Sequence, residues 1–91
     1  MSTGATLPGG DLISNGLEDL AHGLESVAAL VVSIGAPRLQ QLGIPVSHPL
    51  RDPEHRLYEL LRASYADGAH SRYNALVRRL VSFERAAACA K

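Results

Sequence analysis

Ninety-one residues with nine basic and nine acidic side chains carry no net charge, and 46% of them are apolar. That length fits one small domain burying roughly 60–68% of its unfolded surface, and the apolar content argues against intrinsic disorder. Zero net charge argues against polyanion binding by bulk charge, and the single cysteine, Cys89, excludes an internal disulfide framework.

With 14 Leu and 13 Ala against three Tyr, one Phe and no Trp, the expected fold class is all-α. Residues 1–10 are small, polar and Gly/Pro-rich, and read as a flexible tail. They show neither a basic stretch nor an apolar run of the kind a signal peptide needs. The most apolar stretch, residues 27–34, is far shorter than the roughly 20 residues of a membrane span, so the expected location is cytoplasmic.

A long first helix is expected over residues 11–35, capped by the Asp11 carboxylate and stopped by a left-handed Gly35 followed by Pro37. Along it Ile13, Leu17, Leu20, Leu24, Val27, Val31 and Ile34 alternate at spacings of four and three, a heptad pattern with no strand equivalent. The flanking positions carry almost no side chain. Gly16 and Gly23 each cost about 1 kcal/mol inside a helix, so the close approach of another backbone is expected there. At about 1.5 Å per residue the seam would be about 37 Å long, longer than any partner helix in its own chain.

Residues 36–52 hold three of the five prolines, Pro37, Pro45 and Pro49, and read as a packed-down connector anchored by Leu39, Leu42, Ile44, Val46 and Leu50. One helical turn is expected near residues 38–42, ended by Gly43. A second helix is expected over residues 53–67, with Asp52 as cap, Pro53 in the first position and Glu54 favouring the dipole. A third follows over residues 70–88. The apolar stripe of residues 57–65 lies roughly 120° from that of residues 73–83, so a turn at Asp67-Gly68 separates the two helices. The architecture is then a long N-terminal helix, a proline-rich connector and a C-terminal helical hairpin, closing as a three-helix bundle or a dimeric helical bundle.

No residue pattern specifies catalysis. His22, His48, His55 and His70 complete no metal-ligand spacing, and no nucleophile elbow, phosphate loop or dinucleotide fingerprint occurs. No catalytic residue, metal or cofactor is expected. Tyr58, Tyr65 and Tyr73 read as rings at the rim of a helical core. The charge is polarised. Residues 1–50 carry −3 and residues 51–91 carry +3, with eight of the nine basic residues in the latter.

The leading expectation is a non-catalytic helical interaction module that forms a homodimer, or docks a helical protein partner, through the heptad face of the first helix. That face comprises Ile13, Leu17, Leu20, Leu24, Val27, Val31 and Ile34 with Gly16 and Gly23. The alternative is a small nucleic-acid-associated regulator using Arg72, Arg78, Arg79 and Arg85, although helical projection separates Arg72 and Arg79 from Arg78 and Arg85.

Overall fold

The computed structural model describes residues 7–90, and every regular element among them is helical. Helix α1 spans Gly10–Ala21, α2 Val27–Ile34, α3 Ala36–Gln41, α4 Pro53–Tyr65 and α5 Ala69–Ala90, with a 3-10 turn over Ala66–Gly68. Among the described residues no helix is long and apolar enough to cross a membrane. Residues 1–6 of the expected tail lie outside the described residues. Leu7 packs against the core, and Gly10 is buried as the first residue of α1.

The expected helix over residues 11–35 is two helices. α1 ends in a Schellman cap: the Gly23 N–H donates to the Leu20 carbonyl at 3.0 Å and the Leu24 N–H to the Asp19 carbonyl at 2.8 Å. That geometry needs a left-handed residue, and Gly23 takes it at φ +70°. Ser26 then caps α2, its hydroxyl accepting from the Ala29 N–H at 3.1 Å while it donates to the Asp19 carboxylate. The chain turns back, and α1 packs chiefly on α2.

Gly16 makes that packing tight. A Cβ there would fall 2.3 Å from the Ala28 carbonyl oxygen and 2.4 Å from Val32 Cγ2. The close backbone approach expected at Gly16 thus occurs within the chain, between α1 and α2. The one expected at Gly23 does not: nothing lies within 4 Å of its Cβ position, and its role is conformational.

Helix α2 is the centre of the molecule. Ala29, Leu30, Val31, Val32 and Ser33 are buried in succession, as in a helix covered on all sides, with α1 on one side and α4 and α5 on others. A helix buried all round has no free seam, which is the physical reason the heptad face is not continuous. Ser33, the one buried polar side chain, donates to the Ala29 carbonyl at 2.8 Å and accepts from the Leu50 N–H at 2.9 Å. It thereby pins the connector to α2.

Gly35 is not left-handed, at φ −87°, and does not end helical structure; α3 follows at once with Pro37 in its first turn. The missing Cβ matters instead for space, since it would lie 2.7 Å from Leu80 Cδ1 and 3.0 Å from Glu84 Oε2 on α5. α3 ends in a second Schellman cap with Gly43 at φ +87°, the Ile44 N–H donating to the Leu39 carbonyl at 2.9 Å. Leu39 of α3 and Val46 beyond it join the core, with Ile44 and Leu50 packed against it.

Two expected caps differ in detail. Asp52 precedes α4 in a left-handed conformation and makes no side-chain cap, and α1 is preceded by Gly9 while Asp11 sits in the first turn. The start of α4 therefore rests on Pro53, whose fixed φ suits the first turn, and on the Arg56 N–H donating to the Asp52 carbonyl at 3.0 Å.

α4 and α5 form the second hairpin, joined by the 3-10 turn that contains Asp67 and Gly68. Leu57 and Leu61 of α4 and Leu80 and Phe83 of α5 are buried. Tyr58 and Tyr73 meet edge to face with ring centroids 5.8 Å apart. The longest helix is α5, with 22 residues, and not the first. At about 33 Å it accounts for most of the long dimension of the 39 × 25 × 21 Å molecule.

Candidate functional site

Where the start of α2 meets the end of α4 and the first half of α5, a cleft of about 300 Å³ opens to solvent. Val27, the first residue of α2, forms one edge, fixed by the Ser26 cap just before it. Leu61 and Tyr65, one turn apart on α4, form the second wall. Arg72, Ala75, Leu76 and Arg79 line the third. Spacings of three and four along α5 put those four side chains on one face, apolar in the middle and cationic at both ends.

The two arginines are held differently. The Arg72 guanidinium stacks over the Tyr65 ring with its central carbon 3.7 Å from the centroid. Arg79 sits where α1 begins: a Cβ on Gly9 would lie 2.8 Å from the Arg79 carbonyl oxygen, so the α1 start lies directly against this turn of α5. Among the described residues neither arginine is ion-paired, whereas Arg56 pairs with Glu25 at 3.4 Å and His55 approaches Glu59 at 3.8 Å. The cleft therefore combines an apolar floor with two guanidinium groups free to meet an anion.

The four arginines singled out in the sequence do not form one row. Arg72 and Arg79 share the cleft, while Arg78 and Arg85 are exposed and contribute nothing to its lining. The residues of the expected heptad face are also divided. Ile13, Leu20 and Val31 are at most 3% exposed inside their own chain, and Leu17, Val27 and Ile34 are packed against that core. Gly16 is occupied by α2. Leu24 alone stands out, at 54% exposure, on the loop between α1 and α2. Of that face only Val27 reaches the cleft.

Leu61, Ala75 and Leu76 were not among the candidate site residues. The 72, 75, 76, 79 spacing carries a signal for Ala75 and Leu76, which share a face of α5 with Arg72 and Arg79, whereas Leu61 reaches the cleft only through tertiary folding of α4.

His70 and Asn74 are bonded side chain to side chain at 3.2 Å, and Cys89 is an exposed free thiol near the end of α5. Among the described residues no three His, Cys, Asp or Glu side chains come together as a metal site. Two groups have shifted protonation. Burial raises the Glu84 pKa, with the nearby Arg38 charge opposing it, and burial together with the negative charge of Glu54 raises that of Tyr73. Neither lines the cleft.

Compared with known protein families, curated proteins and solved structures, the chain matches none.

Proposed function

We propose that this protein is a small, non-catalytic helical interaction module, and that it docks its partner in the cleft between α2, α4 and α5. The observation that carries this reading is the cleft's lining: Val27, Leu61, Ala75 and Leu76 as its apolar part, with Arg72 and Arg79 at its ends, neither ion-paired among the described residues. Such a surface suits an acidic, amphipathic segment, because apolar burial supplies affinity while guanidinium–carboxylate pairs fix orientation. Among the described residues the lining offers guanidinium groups and one phenol but no carboxylate, imidazole or thiol, which supports binding over acid–base or nucleophilic chemistry.

The docking surface differs from the one expected on the first helix, since most of that face is used inside the chain. Tyr65, which lines the cleft, is itself 44% exposed and adds apolar area at its rim.

Amide NMR titration tests the reading, with a designed acidic leucine-rich helical peptide as probe and a single-stranded oligonucleotide in parallel. The expected result is peptide-induced shifts centred on Val27, Leu61, Ala75 and Leu76, weakened in Arg79→Ala. Peptide shifts located elsewhere, or none at all, would contradict it. Oligonucleotide binding that falls steeply with salt and maps to Arg78 and Arg85 would replace it with the nucleic-acid reading.

A further inference from the structure

The cleft and the most exposed large apolar side chain in the described chain are neighbours. Leu24 projects from the turn at residues 22–26, only three residues before Val27, which forms the edge of the cleft. The turn is well defined and does not fold Leu24 away. Gly23 and Leu24 are fixed by the two Schellman hydrogen bonds, Ser26 by its bonds to Asp19 and Ala29, and Glu25 by Arg56. A leucine held out to solvent on an ordered turn, beside a cleft with an apolar floor that the described residues leave unfilled, is a self-complementary pair of features.

The charges around the two features are opposite. No Lys or Arg occurs before Arg38, and the charged residues of the α1 end and the turn are Glu18, Asp19 and Glu25, of which Glu25 is paired with Arg56 at 3.4 Å. The turn also follows the C-terminal, partially negative end of α1, whose last turn holds no basic residue. The cleft presents Arg72 and Arg79 without carboxylate partners among the described residues.

We infer that the occupant of the cleft is a second copy of this chain, with Leu24 of each protomer seated on the Val27, Leu61 and Leu76 floor of the other. The inference rests on the reading of the cleft as a docking surface and names its partner. A two-fold axis passing near Val27 makes the contact reciprocal: each turn enters the opposite cleft, and the acidic residues around Leu24 face the arginines across the interface. Two short contacts then act together, and neither uses the buried α1–α2 packing.

Sedimentation equilibrium on the full chain tests this. The wild type is expected to dimerise at tens of micromolar. Leu24→Ala should weaken dimerisation by roughly a hundredfold, about tenfold for each leucine withdrawn from an apolar pocket. Leu24→Glu and Arg72→Glu/Arg79→Glu should each be monomeric. Circular dichroism should show the variants folded, and Leu24→Ala, which adds no charge, keeps the test decisive if a charged variant unfolds.

A monomeric wild type near millimolar concentration would overturn the inference, as would a dimer unaffected by Leu24→Ala. The docking reading fails separately: cleft shifts with the acidic peptide on a monomeric wild type would retain the cleft as a binding site and reject the second copy as its occupant.

Discussion

The α1–α2 hairpin and the α4–α5 hairpin solve the same packing problem in opposite ways. In the first, small residues let backbones touch. Gly16 sits against the Ala28 carbonyl, and α2 is buried through five consecutive residues. In the second, the buried side chains are large, Leu57 and Leu61 on α4 and Leu80 and Phe83 on α5, and the Tyr58 and Tyr73 rings meet across the two helices. Close backbone contact leaves no groove, whereas packing through side chains of unequal size does. The difference explains why the cleft lies against α4 and α5, and why the apolar pattern of α1 and α2 is spent on stability.

Substitutions should separate the two hairpins, beginning with the largest effect. Phe83→Ala removes a ring that is 1% exposed from the side-chain-packed hairpin, and should cost about 3–5 kcal/mol in urea unfolding. Gly16→Ala should cost about 1–3 kcal/mol, because its Cβ meets backbone and overpacking outweighs the gain in helix propensity. Gly23→Ala should cost about 1–2 kcal/mol through left-handed strain alone, since its surroundings are open. A cost at Gly23 well above that range would contradict the account of the turn, because nothing lies near its Cβ position. Arg79→Ala should change stability by no more than about 0.5 kcal/mol while weakening docking, as expected of an exposed side chain kept for a partner.

The smallest effect concerns pH. Burial raises the Glu84 pKa in the folded state, so the fold holds this proton more tightly than the unfolded chain does. The resulting stabilisation is present below the ordinary carboxylate range and is lost as the pH rises through the raised value. Glu84→Gln should remove that loss, so its urea midpoint should fall less than the wild type's between acidic and neutral pH.

Much of the second half of the fold was legible from its residues. Pro53 and Glu54 mark the start of α4, and the angular jump between the apolar stripes of residues 57–65 and 73–83 requires the turn that the structure places at Ala66–Gly68. The first half misled because a heptad count cannot see a loop that preserves its phase. Ile13, Leu17 and Leu20 belong to α1, and Val27, Val31 and Ile34 to α2, and the five intervening residues kept the spacing. The available correction was Gly23 followed by Ser26: a left-handed C-terminal cap and an N-cap three residues on are a stop and a start. Of the candidate site, Arg72 and Arg79 were legible as a pair on one edge of α5. The Leu61 and Val27 walls were not, because only tertiary folding brings α2 and α4 to that face.

The central claim is that the outward-facing chemistry lies at the cleft and the Leu24 turn, and not along the first helix. Amide NMR spectra of the full chain recorded over a dilution series test it most directly. Concentration-dependent shifts confined to Leu24, Val27, Leu61, Arg72, Leu76 and Arg79 are the result this account requires. Shifts along Ile13, Leu17 and Leu20 with a silent cleft would contradict it.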